Sequence, residues 1–329
     1  MTEIAIGGYF SWEQGRGTGL DWLRTAAGYQ SARCAIVAAL RAAQPVRVWA
    51  PHYICGAVND ALAASEVAVQ RYPLSSEWGP PASLALETGD WLLCVDYFGI
   101  CRPQIEMVLN KFGSERVLVD ASQSLFHKTR AGETAVYSPR KFLGIPDGGL
   151  LTTELELPAP PEADERMSTA RCMHLQSRAE GCVEQGYQQF QIAEKSLESC
   201  EPVAISSLTA SLLATIDADQ VATRRISNYQ FLAEALACEA LAVPPLPKGA
   251  VPLCCPVLGV DAPALRQALI RQHIFTATYW PDARIPSDDA VATQLRDHTL
   301  YLPCDQRCDQ SATMRIVRSI HEIKESHEH

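Results

Sequence analysis

Four short apolar runs recur at intervals through the first part of this chain: Val46-Arg47-Val48-Trp49-Ala50, Val67-Ala68-Val69-Gln70-Arg71-Tyr72, Trp91-Leu92-Leu93-Cys94-Val95-Asp96 and Val117-Leu118-Val119-Asp120. Helix-forming segments separate them, one from about Cys55 to Ala64 and one from Gln104 to Phe112, and a further helix is expected from Ser31 to Ala43 with Ser31 as its N-cap. Strand and helix alternating at this spacing dictate a mostly parallel sheet with right-handed crossovers. In open sheets of that kind, ligands bind outside the carboxyl ends of the strands.

The third and fourth runs end on acids, Asp96 and Asp120. Asp120 opens the element Asp120-Ala121-Ser122-Gln123, and Tyr137-Ser138-Pro139-Arg140-Lys141-Phe142 follows after a short interval. An aspartate after a strand is by itself an ordinary turn residue. A carboxylate, a small residue and an amide in this order, with a lysine downstream, instead suit a flat aromatic cofactor. The carboxylate pairs with a ring nitrogen, the amide bonds a ring oxygen, and the lysine amine holds the carbonyl carbon. Those are the requirements of pyridoxal 5′-phosphate, whose ring must stay an electron sink.

Lys141 is one of six lysines, and it sits between Pro139 and Pro146, ahead of Gly148-Gly149, where a constrained backbone can approach a ligand closely. The cofactor's phosphate calls for backbone donors at a helix start, which Ser31-Ala32-Arg33 offers, with Ser138 as another hydroxyl. His52 and Tyr53 follow the first strand and are expected to flank the ring, and Asp96-Tyr97-Phe98-Gly99 is expected nearby. Nothing local separates His127, Trp280 or Arg307 from ordinary surface residues. Before residue 30 the chain reads as an arm of loop and short helix.

Beyond Leu150-Thr153 the pattern is helical from about 170 to 201 and from 206 to 237, with Arg224, Arg225 and Asn228 assigned to the polar side. Val251 to Val260, Tyr279-Trp280 and Thr299-Leu302 then read as strands alternating with helices near 262–272 and 310–323. The expected organisation is a large cofactor domain over 1–205 and, over 206–329, a long helix with a smaller C-terminal α/β domain.

A net charge of −10 argues against nucleic acid or an anionic membrane as partner. No apolar run reaches the roughly 18 residues that span a bilayer, and Met1-Thr2-Glu3-Ile4 lacks the order of a signal peptide, so a cytoplasmic location is expected. The 12 cysteines are scattered without a C-x-x-C pair, which reads as reduced, mostly buried thiols and no metal site.

Taken in order, these segments resemble the DegT/DnrJ/EryC1/StrS family of sugar aminotransferases, which have the pyridoxal phosphate-dependent transferase fold type I. The resemblance rests on Asp120-x-x-Gln123, the Ser138 and Lys141 segment with Gly148-Gly149, the Gln30-Ser31-Ala32-Arg33 turn, Ala50-Pro51-His52-Tyr53 and Leu302-Pro303. It implies that Lys141 binds the cofactor and serves as general base, that Asp120 pairs with the pyridinium nitrogen and Gln123 with the ring hydroxyl, and that Ser31, Ala32 and Ser138 hold the phosphate. It also implies transfer of an amino group from an amino acid, glutamate above all, to a nucleotide-linked keto-sugar, in a homodimer. Two segments depart from the family: only Pro139 and Arg140 separate Ser138 from Lys141, with Asp147 where the family has glutamate, and Gly186-Tyr187-Gln188-Gln189-Phe190 replaces Gly-Tyr-Asn-Tyr-Arg. These departures leave open a non-sugar acceptor, lyase chemistry or a non-catalytic binding protein.

Overall fold

A computed structural model describes residues 5–13, 15 and 17–327. The first half of the chain runs β1 (Ile6–Gly7), β2 (Ala27–Tyr29), α1 (Ala32–Ala43), β3 (Arg47–Pro51), α2 (Gly56–Ala64), β4 (Ala68–Tyr72), β5 (Asp90–Val95), α3 (Arg102–Phe112), β6 (Val117–Ala121), β7 (Thr134–Tyr137) and β8 (Gly149–Thr152). The second half runs α4 (Glu165–Arg171), α5 (Met173–Ala179), α6 (Val183–Lys195), α7 (Ser207–Leu213), α8 (Ala218–Cys238), β9 (Cys254–Leu258), α9 (Ala262–Arg271), β10 (Ile274–Phe275), α10 (Ala290–Asp297), β11 (Thr299–Pro303) and α11 (Gln310–His327).

Seven strands form one sheet in the order β2-β8-β7-β6-β5-β3-β4. β4, β3, β5, β6 and β7 are parallel neighbours, whereas β8 runs against both β7 and β2. β2 therefore points the same way as the parallel strands. Its end, the ends of β3, β5, β6 and β7, and the start of β8 all lie along one edge of the sheet. β5 and β6 are buried at every position, as strands covered on both faces must be.

Smaller pairings complete the molecule: β9 with β11, antiparallel, and β1 with β10, parallel. Among the described residues no helix is long and apolar enough to cross a membrane. All twelve cysteines are free thiols, seven of them buried.

Several elements differ from the sequence-based expectation. β2 and β7 are too short to show a period, and each holds its place through its neighbours. The helical stretch from 170 to 201 is three helices with an earlier start. It breaks at Cys172, shared by α4 and α5, and at Gly181, whose φ of +80° ends α5. The next stretch divides into α7 and α8 because the Asp217 side chain caps a new start by accepting from the Gln220 amide. Tyr279-Trp280 is not a strand: Trp280 adopts a φ of +51°, which no ladder accommodates.

Arg225 and Asn228 are not on a polar face. Ala218, Val221, Arg225, Asn228, Leu232 and Leu236 are all buried and share one helical stripe of α8. Arg225 is fully buried. It donates to the carbonyls of Pro252, Leu253 and Phe142 and to Gln306 Oε1, so every arm of its fork has an acceptor. Asn228 donates to the carbonyls of Cys304, Asp305 and Cys308. These two residues tie the long helix to the C-terminal part of the chain.

Candidate active site

The ligand edge of the sheet gathers Ser31, Pro51–Tyr53, Asp96–Phe98, Asp120–Gln123, Ser138–Lys141 and Gly148–Gly149. The register places them in sequence across it: Tyr29 opposite Gly149, Leu150 opposite Tyr137, Ala121 opposite Tyr137 and Asp120 opposite Val95.

Asp120 lies near the end of β6 and is 3% exposed. Its Oδ1 accepts from the Ser122 amide at 3.0 Å, and Oδ2 has no partner among the described residues. Gln123 is equally buried. Its Oε1 accepts from the Phe98 amide at 3.0 Å, which fixes the orientation of the side-chain amide, and Nε2 is left buried without an acceptor. A buried N–H without an acceptor is rare in native proteins and calls for a missing partner. Phe98 presents its amide there because it sits at φ +57° in the tight turn after β5.

Lys141 closes the short turn Pro139–Lys141, its amide bonded to the Ser138 carbonyl at 3.1 Å. Its amine, partly exposed, makes no hydrogen bond or ion pair among the described residues. Ser138 is 7% exposed, with its hydroxyl also unengaged. Behind the lysine, Phe142 is fully buried, its ring 4.5 Å from the Arg225 guanidinium and its carbonyl held by Arg225 and by Gln306 at 2.7 Å. The N-terminal arm seals the same turn: a Cβ on Gly144 would lie 1.9 Å from the Ser11 carbonyl oxygen, and Glu13 accepts from Gln306.

At the other end of the edge, Ser31 caps α1, accepting from the Cys34 amide at 3.3 Å. The first amides of α1 have no intrahelical acceptor and carry the positive end of the helix dipole. Gly149 packs so tightly on this turn that a Cβ there would lie 2.1 Å from the Ser31 carbonyl carbon and 2.3 Å from the Ala32 nitrogen.

Three of the expected site residues are otherwise occupied. The Arg33 guanidinium donates to the Leu197 carbonyl and faces Asp60, leaving its backbone amide for the helix start. Tyr53 is fully buried, its hydroxyl against the Tyr279 carbonyl and the Tyr301 hydroxyl, its ring 4.8 Å from Trp280 and stacked 5.8 Å from Tyr97. Burial pushes its hydroxyl pKa up. His52 pairs with Asp289 at 2.9 Å.

Asp147 is likewise a structural hub, accepting from Ser206, Thr209, Ser168 and Arg171. His127 is held between Glu133, at 2.5 Å, and Asp96, at 3.8 Å, and is no surface residue. Burial raises the Asp96 carboxyl above its usual range, while His127 and the Cys101 amide pull it back. Arg307 chelates Asp305 and holds the Gly8 and Tyr9 carbonyls.

The donor set fits pyridoxal phosphate. The edge supplies a carboxylate with one open oxygen, a buried amide N–H awaiting an acceptor, an unpaired amine, a free hydroxyl and a helix start.

Three solved structures are similar over nearly the whole chain. DesV of S. venezuelae, in complex with a ketimine intermediate, is 18% identical, with 96% of this chain and 90% of that one covered at a TM-score of 0.65. NtdA of Bacillus subtilis, with bound cofactor PMP, is 15% identical, with 91% and 73% covered at 0.65. A DegT DnrJ EryC1 StrS aminotransferase from Brucella abortus is 16% identical, with 91% and 85% covered at 0.61.

The fold is fold type I. No family model and no curated protein matches the sequence.

Among the residues not foreseen, Arg225 has the clearest signal. It falls on the apolar stripe of α8, where a charged residue has to be paired.

Proposed function

We propose that this chain is a pyridoxal phosphate-dependent aminotransferase that passes an amino group from an amino acid, glutamate first among them, to a nucleotide-linked keto-sugar. The observation that carries the reading is the pairing, on one sheet edge, of the open carboxylate of Asp120 and unsatisfied amide of Gln123 with the unpaired amine of Lys141. The aminotransferases of similar fold support it.

Bound there, pyridoxal phosphate would supply an electron sink for the carbanion left when a substrate Cα–H bond breaks. Asp120 would hold the pyridine nitrogen protonated. Gln123 Nε2 would donate to the ring oxygen, while Phe98 keeps its Oε1 from turning into the site. The helix start at Ser31, Ala32 and Arg33, with the Ser138 hydroxyl, would take the phosphate. Lys141 would hold the cofactor by its amine and, once released, accept and return the proton at the substrate carbon. Tyr53 flanks the site through its ring, its hydroxyl being spent on Tyr279 and Tyr301.

A cytoplasmic homodimer, with residues 1–205 as the cofactor domain and 206–329 as long helix and small domain, completes the reading. Borohydride reduction of cofactor-saturated protein followed by peptide mass analysis tests it. The expected product carries the cofactor on Lys141, and an unmodified Lys141 overturns the proposal. A half-reaction with glutamate, followed by absorbance, then tests amino transfer.

A further inference from the structure

Behind the ligand edge, His127 lies between two buried acids. Its Nε2 meets Glu133 Oε1 at 2.5 Å and its Nδ1 faces Asp96 Oδ2 at 3.8 Å. Among the described residues no lysine or arginine forms an ion pair with either carboxylate. All three side chains are buried. Nδ1 has no hydrogen-bond partner, and a neutral ring donating to Glu133 would turn a lone pair toward Asp96. Buried carboxylates facing both ring nitrogens call for the imidazolium.

Asp96 follows β5 and ties two turns together. Its Oδ1 accepts from the Cys101 amide at 2.9 Å, closing the turn that carries Phe98, and its carboxylate also accepts from the Ser124 hydroxyl, beside Gln123. His127 closes that second turn, its amide donating to the Ser124 carbonyl at 3.0 Å. The two turns meet where the Phe98 amide donates to Gln123 Oε1 at 3.0 Å. Gly99, at φ +71°, presses so closely there that a Cβ on it would lie 3.0 Å from the Gln123 carbonyl oxygen.

The direction of Gln123 Nε2 thus depends on how the two turns sit, and their seating depends on the charge of Asp96. Burial pushes the Asp96 carboxyl up, and His127 is the strongest of the influences that pull it back. Deprived of that cation, Asp96 would hold a proton more readily. Its bonds to the Cys101 amide and the Ser124 hydroxyl would then lose the strength that an ionised acceptor gives them.

We propose that His127 is a positioning residue for the cofactor: by balancing the charge of Asp96 it holds the Phe98 and Gln123 turns together and keeps Gln123 Nε2 aimed at the ring oxygen. The inference rests on the pyridoxal phosphate reading of the edge.

The test is titration with pyridoxal phosphate, followed by absorbance, of wild type, Gln123→Ala, His127→Gln, Asp96→Asn and the double variants that join Gln123→Ala to each of the last two. A pH titration of the absorbance of each loaded protein follows. A donor on the ring oxygen favours its ionised form, so losing the donor raises the pKa of the bound chromophore. Expected is a rise of about half a pH unit or more in Gln123→Ala, and a rise with weakened Kd in His127→Gln. Neither double variant should move further than Gln123→Ala alone, because the effects share one path. Asp96→Asn, close in shape and without the charge, should reproduce His127→Gln and carries the test should that variant not fold. Unchanged pKa and Kd in a folded His127→Gln or Asp96→Asn protein overturn the proposal. So does a full further shift on adding either substitution to Gln123→Ala, which a merely structural or through-space effect would give. Wild type that takes up no cofactor overturns the cofactor reading itself, and this proposal with it.

Discussion

The guanidinium of Arg225 lies 4.5 Å from the centre of the Phe142 ring and donates to the Phe142 carbonyl at 3.2 Å, one residue after the candidate cofactor lysine. A fully buried cation on the long helix thus fixes the backbone from which Lys141 projects.

Arg225→Ala should be severely destabilising. It leaves the carbonyls of Pro252 and Leu253 and the Gln306 Oε1 short of a donor, at about 1–3 kcal/mol for each group left unsatisfied, while the Phe142 carbonyl keeps Gln306. Urea unfolding measures the loss. Arg225→Lys should recover little of it, because an ammonium cannot span three directions. A variant as stable as wild type would mean that the fork contributes nothing.

Gln123→Ala removes two contacts of different kinds. The Phe98 amide loses its acceptor, for a stability loss of about 1–3 kcal/mol, and the cofactor loses a donor. Affinity for pyridoxal phosphate should fall roughly tenfold, as expected from about 1.4 kcal/mol. Cofactor titration followed by absorbance separates this from the change in unfolding midpoint.

At Gly149 a methyl group has no room beside the Ser31 carbonyl and the Ala32 amide. Gly149→Ala should therefore displace the start of α1 from β8, with a stability loss of about 1–3 kcal/mol typical of overpacking. It should also weaken cofactor binding with Asp120 and Lys141 untouched. Retention of full affinity would separate the α1 turn from the phosphate.

His174 gives the clearest pH dependence. It is 4% exposed, packs edge-on against Tyr9 and Phe190, and burial lowers its pKa to about 4 from an ordinary 6.5. The folded state thus prefers the neutral ring. Its contribution is complete above about pH 6.5, shrinks as pH falls, and is gone by about pH 4. The gap between the two values sets a ceiling of about 3 kcal/mol. Urea unfolding at pH 7.5 and 4.5 should show a drop that His174→Phe reduces, and equal pH slopes for the two proteins would rule the assignment out.

The parts of the candidate site carried by side chains of distinct type were legible in the chain as neighbours. Asp120, Gln123 and Lys141 are placed by the ends of apolar runs and by proline and glycine, and the structure puts them on the same edge. What residue type alone could not convey was commitment. Arg33 and Tyr53 have the right chemistry, yet Leu197 and Asp60 hold the guanidinium of the first and Tyr279 and Tyr301 the hydroxyl of the second, and the partners of Tyr53 lie 226 and 248 residues along the chain, beyond the reach of any local pattern.

 Arg225 and Asn228 look like solvent-facing residues by type and are buried by position, which only the stripe from Ala218 to Leu236 reveals. β2 and β7 are too short to carry a period of their own, and the left-handed Trp280 breaks what reads as a strand.

The reversed direction of β8 has a practical corollary. Because that strand begins at the ligand edge, the segment that leaves it, residues 153–157, emerges at the opposite edge of the sheet with Glu154 and Glu156 exposed, before the chain turns back and the Pro161 carbonyl meets Ala204. A peptide tag or a small reporter domain grafted into that segment would sit a full strand length from Lys141, giving a handle for immobilisation or labelling that leaves the reacting edge open to solution.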